Sequence, residues 1–230
     1  MINEVLTFKP KEVSKKLLGA LPERARDIIK KRYGLEKAEP FTLEAIGQVY
    51  GITRERVRQI EEFTLNTIRK SAVFQESQHY LGELKQVMEE YGGVVHEQEF
   101  LNHIDSNNLA QNHTHFLLVL GGAFTKLKEG DEFHHRWTVD VELARRIEDC
   151  LRGVCQDLDE NVLLPESEMI ETVLKKYGAP ERAEADKVRA KRWLKISKDI
   201  DMSPVGEWGL SKSPNVRVRG IRDYAFLVLR

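Results

Sequence analysis

The chain has 230 residues, 41% of them hydrophobic and 32% charged, with a formal net charge of −1 at pH 7. That length accommodates one large domain or two to four small ones, and the composition is that of a soluble, charge-rich globular protein. The near-zero total hides a split. Residues 1–72 hold 15 Lys and Arg against 10 Asp and Glu, whereas the remainder holds 21 against 27. Only the first part has the basic surplus that phosphate neutralisation favours, and the acidic remainder is a poor candidate for non-specific DNA binding of its own. Met1 to Val5 shows no basic start followed by an apolar run, and no apolar stretch approaches the roughly 20 residues of a membrane helix. A cytoplasmic protein is expected. Cys150 and Cys155, five apart on an expected helix, point in different directions and read as free thiols in a reducing compartment.

In chain order, Val13, Leu17 and Leu18 are spaced for a short amphipathic helix after Pro10, within an N-terminal lead of residues 1–20. A second helix starts near Pro22, where a missing N–H costs little. Its stripe is Ala25, Ile28, Ile29 and Tyr33, and Gly34 ends it. Residues 42–70 read as two helices joined by a tight turn. Thr42 caps the first and Thr53 the second, and Gly51 suits the left-handed conformation at the end of the first. This is a helix-turn-helix layout, whose second helix enters the DNA major groove.

At about 100° per residue, Val57, Ile60, Thr64 and Ile68 fall on one side of that second helix, facing Leu43, Ile46 and Val49. Glu55, Arg58, Gln59 and Glu62 fall on the opposite side, with Arg54 at its edge. Arg suits guanine, Gln suits adenine, and Glu accepts from the cytosine amino group. The candidate DNA-binding residues are Arg54, Glu55, Arg56, Arg58 and Gln59, with Thr42, Thr53 and Lys70 at the helix ends. Arg54, Arg56, Arg69 and Lys70 are the cations available to phosphates. A solvated charged helix face is the plain alternative for such a run.

The run from Thr42 to Glu61, TLEAIGQVYGITRERVRQIE, closely resembles region 4 of the sigma-70 family, the promoter-reading subunits of bacterial RNA polymerase. Within it, TRERVRQIE from Thr53 to Glu61 is specific to the primary-type members. The resemblance spans about residues 18–71. It implies recognition of the upstream (−35) promoter element, with Arg54, Glu55, Arg58 and Gln59 facing bases. It makes Arg56 a phosphate, polymerase or activator contact. The partners implied are double-stranded promoter DNA and the bacterial RNA polymerase core. The sigma regions that melt the downstream promoter element are not visible in this sequence.

After Lys70, Ser71 to Ser77 reads as a linker or a frayed helix end. A helix through Tyr80, Leu84, Val87 and Tyr91 stops at Gly92 and Gly93. A short strand at Val94 and Val95, a helix from His96 to Leu101 and a helix from Asn112 to Gly121 follow. Ala123 to Leu127 and Phe133 to Val139 then alternate around Gly130 as a hairpin. Helices followed by a hairpin is the winged-helix order, and it repeats. Helices are expected over Val141 to Leu158, through Ile170 to Leu174, and over Ala183 to Ile196. A short strand is expected at Val162 to Leu164, and two strands between Asp201 and Arg219.

The expected fold class is therefore mainly α. A helix-turn-helix bundle (residues 21–71) is followed by two tandem winged-helix domains with small hairpins, residues 78–140 and 141–219. Ser203 to Leu210 with the following apolar stretch to Arg230 resembles the lead-in to a HARE-type helix-turn-helix domain, of which residues 220–230 would be the start. Either the chain is a piece of a longer one or that helix folds back on the preceding wing.

No Gly-rich phosphate cradle and no nucleophile motif is present. His96 and Glu97 fail as a zinc helix, because Phe100 stands where the second histidine is required. His113, His115, His134 and His135 read as surface or packing residues, and Trp137, Trp193 and Trp208 as core. The chain is read as non-enzymatic, without cofactor, metal or small-molecule ligand. The rival readings of function are a polymerase-independent DNA-binding regulator and an adaptor whose acidic winged helices bind protein.

Overall fold

The computed structural model describes residues 5–37, 39–178 and 183–217, together with 220 and 225. It is mainly helical, with small antiparallel sheets. The chain divides into two compact units, residues 1–87 with 98–124, and residues 88–97 with 125–230.

The first unit is helical. Its elements are α1 (Pro10–Gly19), α2 (Glu23–Tyr33), α3 (Leu43–Tyr50), α4 (Arg54–Arg69), α5 (Ala72–Glu76), most of α6 (Gln78–Tyr91) and of α7 (Glu97–Ile104), and α8 (Asn108–Leu120). Pro22 precedes α2 as its cap, and Gly34 ends that helix in the left-handed region. Ile28, Ile29 and Tyr33 are buried as expected, whereas Ala25 is only half-buried. Ser71 to Ser77 is neither linker nor frayed end. The Ser71 hydroxyl accepts from the Phe74 N–H at 3.2 Å, α5 forms, and Phe74 is buried. One capping serine followed by one aromatic starts a new helix where periodicity alone is too short to register.

Helix α8 begins one turn before the expected Asn112, because the Asn107 side chain accepts from the N–H groups of Leu109 and Ala110. Its buried residues include Gln111, His113, Phe116, Leu117 and Leu118, which lie all round the helix. A helix apolar on every side belongs in an interior. On one side the Gln111 amide donates to Asn102 Oδ1 at 2.9 Å and to the Asp105 carbonyl at 2.8 Å, which ties α8 to α7. On another, the Phe116 ring lies 5.1 Å from that of Tyr33, and the Asn112 amide donates to the Gly34 carbonyl at 3.0 Å.

The second unit holds two small sheets. Strands β1 (Val94–His96), β2 (Thr125–Leu127) and β3 (Arg136–Thr138) pair in the order β1-β3-β2, with Val95 and Lys126 both opposite Trp137. Strands β4 (Ile200–Met202) and β5 (Trp208–Leu210) pair antiparallel, and Leu164 forms a single bridge to Trp208. The expected strand at Val162 to Leu164 is thus one bridged residue. Helices α9 (Val141–Asp157), α10 (Glu166–Tyr177) and α11 (Glu184–Leu194) complete the unit.

Along the chain, α6-β1-α7-α8-β2-β3 and α9-Leu164-α10-α11-β4-β5 share one element order. In each set the last strand lies between the other two. Trp137, Trp193 and Trp208 are all buried. The last two join Ile147, Leu151, Met169 and Val173 in the core. Ser203 to Leu210 supplies the turn and second strand of the β4–β5 hairpin. The apolar stretch expected over 220–230 lies outside the described residues, apart from 220 and 225. None of the described helices is long and apolar enough to cross a membrane.

His113 is 2% exposed, and its pKa is pushed down by burial first and by the nearby Lys11 second. Lys15 and Glu12 on the same helix as Lys11 oppose one another's effect on it. The unfolded imidazole therefore protonates first as pH falls. Its contribution to stability is intact above about 6.5 and declines as pH drops through the lower folded value. Replacing His113 by Leu is expected to flatten that decline. Urea midpoints of native and variant chains at about pH 7.5 and about pH 5.5 are the check.

Candidate nucleic-acid interface

Two glycines and two threonines fix the geometry of α3, α4 and the turn between them. Thr42 Oγ1 accepts from the Ala45 N–H and Thr53 Oγ1 from the Arg56 N–H, each at 3.1 Å, which satisfies an orphan donor at each helix start. Gly51 ends α3 with φ 64°, in the left-handed region where a Cβ is disfavoured. Gly47, one turn earlier, has a different task. A Cβ there would lie 2.6 Å from the Ile52 carbonyl oxygen, so its missing side chain lets the two helices approach. The Ile52 N–H returns to the Gly47 carbonyl at 3.0 Å.

Beneath the turn, Ile28, Ile46 and Val57 are fully buried, with Phe41, Leu43, Tyr50, Ile52 and Ile60 partly buried around them. One expectation is corrected here: Val49 is 58% exposed and not part of this core, whereas Ile60 packs against it half-buried, as expected. The inner face of α4 continues through Thr64 and Ile68, as expected, and also through Leu65. Glu61, also on the inner side, accepts from the Tyr33 hydroxyl at 2.8 Å and pairs with Arg32 at 3.3 Å. Burial, and then the Glu61 carboxylate, hold the Tyr33 phenol well above its ordinary pKa.

The outward strip of α4 carries Glu55, Arg58, Gln59 and Glu62, all exposed. These side chains already engage one another. Arg58 donates through Nη2 to Glu55 Oε1 at 2.8 Å, through Nε to Glu55 Oε2 at 3.0 Å, and through Nη1 to Glu62 Oε2 at 3.2 Å. Arg56 Nη1 donates to Gln59 Oε1 at 3.2 Å. The hydrogen bond from Arg58 lowers the Glu55 pKa, and Glu55 in turn raises that of Arg58. Exposed i,i+3 and i,i+4 pairs of this kind are weak, so the forked donors are available to any better acceptor.

Arg54 and Thr53 stand exposed at the start of the same helix, where the macrodipole favours an anion. The structure therefore gathers Thr53, Arg54, Glu55, Arg56, Arg58 and Gln59 at one end of one helix, with Thr42 capping the helix before it. Lys70 stands apart. It caps the far end of α4, 16 residues on and so about 24 Å away. Arg69 is not a phosphate contact in this arrangement. Its guanidinium is turned inward, donating to the Val119 carbonyl at 2.8 Å, the Leu120 carbonyl at 3.2 Å and Asn66 at 3.0 Å.

Sequence reasoning passed over Phe63, which is 74% exposed beside a cleft of about 480 Å³ bordered by Leu21, Pro22, Ala25, Arg56 and Gln59. A phenylalanine at an outward position of an otherwise polar strip was the available signal. Among the described residues no cluster of His, Cys, Asp or Glu is placed to hold a metal ion. The thiols of Cys150 and Cys155 are pushed up to about 11, chiefly by burial, which makes both poor nucleophiles.

Residues 17–70 match the family model described as sigma-70, region 4. Among curated proteins, the RNA polymerase sigma factor SigA of Nostoc sp. is 46% identical over 59 residues, which are 26% of this chain and 15% of that protein. The RNA polymerase principal sigma factor HrdD of Streptomyces griseus is 43% identical over 68 residues, 30% of this chain and 20% of that protein. HrdD of Streptomyces coelicolor aligns to the same extent. The N-terminal module is thus a sigma-70 region 4 module, and the chain spans a fifth or less of the length of these relatives.

The module's frame can be tested at three points. Gly47→Ala forces its Cβ against backbone and is expected to cost about 1–3 kcal/mol, in the range of other overpacked sites. Gly51→Ala places Cβ in a left-handed residue and is expected to cost about 1–2 kcal/mol. Urea denaturation of both variants is the check. The third point is the Tyr50 hydroxyl, which donates to Asp27 and is the main cause holding that carboxyl below the usual range. The stability it lends is present above the unfolded value near 3.9 and is lost as pH falls through the lower folded value. Tyr50→Phe should raise the Asp27 pKa in a carboxyl NMR titration and cost about 1 kcal/mol.

Proposed function

We propose that this chain is a sigma-like transcription factor whose α4 reads a −35-type promoter element in the major groove during transcription initiation. The observation that carries the reading is the exposed Glu55–Arg58–Gln59 strip at the capped start of α4, within a region 4 module. In this reading Arg58 turns its fork from Glu55 to guanine, Gln59 addresses adenine, and Glu55 accepts from a cytosine amino group. Arg54 joins the base contacts, and Arg56 takes a phosphate or a protein contact. Thr42 and Thr53 stand at the two helix starts close to the sugar–phosphate backbone. Lys70, at the far end of α4, serves a phosphate outside the central contact.

The basic surplus of residues 1–72 supports a DNA-facing role for this part alone. The repeated order of helix, strand, two helices and two strands supports reading both later segments as winged helices. Their acidic balance favours protein contacts over auxiliary DNA contacts. Bacterial RNA polymerase core is the first partner in this account, because the relatives are named as its sigma factors. The protein acts without catalysis or cofactor, in the cytoplasm. A polymerase-independent DNA-binding regulator is the second reading. It requires only the exposed α4 strip and the basic surplus of residues 1–72.

Selection of bound duplexes from a random pool, followed by footprinting with and without core polymerase, tests both readings. A −35-like consensus with a footprint strengthened by core polymerase supports the first. A consensus with no response to polymerase supports the second. Arg58→Ala or Gln59→Ala is expected to weaken binding to the selected site by about 1–3 kcal/mol while leaving non-specific duplex almost unchanged. An equal loss on every sequence would assign these side chains to phosphates.

A further inference from the structure

Glu62 stands on the outward strip of α4, two turns beyond Glu55 and within about 20° of the same line along the helix. Arg58 lies between them. Of its five N–H donors, Glu55 takes those on Nε and Nη2, at 3.0 and 2.8 Å, and Glu62 takes one on Nη1 at 3.2 Å. The guanidinium is thus held by carboxylates on both sides along the helix axis.

Helix stability does not account for the second carboxylate. A basic residue that precedes its acidic partner by four positions is the weaker orientation of such a pair, and Glu62 is beyond the first turn, where the macrodipole favours an anion. Its side chain is 64% exposed, so packing contributes little either. On a strip that faces DNA it repels every phosphate. What it changes is the charge around Arg58. Two carboxylates against one guanidinium leave the cluster net negative. A phosphate that approaches Arg58 meets that negative charge, whereas guanine offers N7 and O6 as neutral acceptors to the same fork.

We propose that Glu62 is a specificity-determining residue, which together with Glu55 keeps Arg58 from phosphates and reserves its fork for a guanine edge. Glu62 touches no base in this account. It is a positioning residue that acts through Arg58. The proposal rests on the sigma-like reading for its target, a promoter duplex, and on the hydrogen bonds of the strip for its mechanism. Discrimination is a difference between two affinities, and weakening the wrong one raises it as surely as strengthening the right one. Glu62 works on the wrong one: it lowers affinity for arbitrary sequence, at a smaller loss of affinity for the preferred site.

The test is a cycle of four full-length chains: native, Glu62→Gln, Arg58→Ala and the double variant. Each is titrated against the duplex selected from the random pool and against a scrambled duplex of the same composition, over a range of salt concentrations. Glu62→Gln is expected to tighten binding to the scrambled duplex about threefold or more and to the selected duplex less, so that the ratio of affinities falls. The log–log salt slope on the scrambled duplex should steepen by about 0.9, the signature of one new phosphate contact made by Arg58. With Arg58→Ala in place, the same substitution should act alike on both duplexes, because only the loss of one negative charge remains. An equal effect on both duplexes in the presence of Arg58, or none, would overturn the proposal. So would a loss of discrimination of undiminished size in the absence of Arg58. A native chain that binds the two duplexes alike is a separate outcome, which overturns the sigma-like reading and the proposal with it.

Discussion

Three side chains with no solvent exposure, Ile28 on α2, Ile46 on α3 and Val57 on α4, hold the helix-turn-helix together. The depth to which they interlock is set by Gly47, whose absent Cβ lets the Ile52 carbonyl approach. The outward strip of α4 depends on this contact. A helix position that is off by one residue turns by about 100°, so the residues presented to a groove are a consequence of which ones are buried. The threonine caps start each helix at a defined residue, and the left-handed Gly51 fixes the direction in which the chain re-enters. Glu61 adds a polar restraint. It is held by Tyr33 and Arg32 on α2, so α4 is clamped to α2.

The far end of α4 is held differently. Arg69 reaches the carbonyls that end α8, and Ser71 starts α5 directly after, so α4 runs into further structure instead of fraying. Burying a guanidinium against carbonyl oxygens is stabilising only because several acceptors share its donors. Both ends of α4 are thus specified by side-chain hydrogen bonds, while its middle is specified by apolar packing.

Much of this was legible in the sequence. The caps at Thr42 and Thr53, the turn at Gly51 and the outward position of Glu55, Arg58 and Gln59 follow from local chemistry and helical period, both of which operate within a few residues. What was not legible depends on distant partners. Val49 has the spacing of a core residue, yet no neighbour buries it and it is exposed. Arg69 reads as a surface cation until α8, 50 residues on, brings carbonyls to it. Phe74 is a single aromatic in a short segment and signals nothing without the neighbours that bury it. Gly47 lies inside a helix, where a glycine reads as a weakness, and only the returning chain at Ile52 shows why the position is small. In the second unit the helices and hairpins were visible as periods. The central position of the last strand in each set was not, because strand order is decided by pairing between segments distant in sequence.

The outward strip of α4 is paired with itself, Arg58 to Glu55 and Glu62, Arg56 to Gln59. In the proposed function those pairs are lost when the side chains turn to bases, and their loss opposes binding. Added salt weakens them through the same screening that weakens attraction to phosphate. The two effects have opposite signs in the binding equilibrium. In that function the ionic-strength dependence of specific binding is shallower than the number of phosphate contacts alone would give, and discrimination between sites survives in more concentrated salt than overall affinity does.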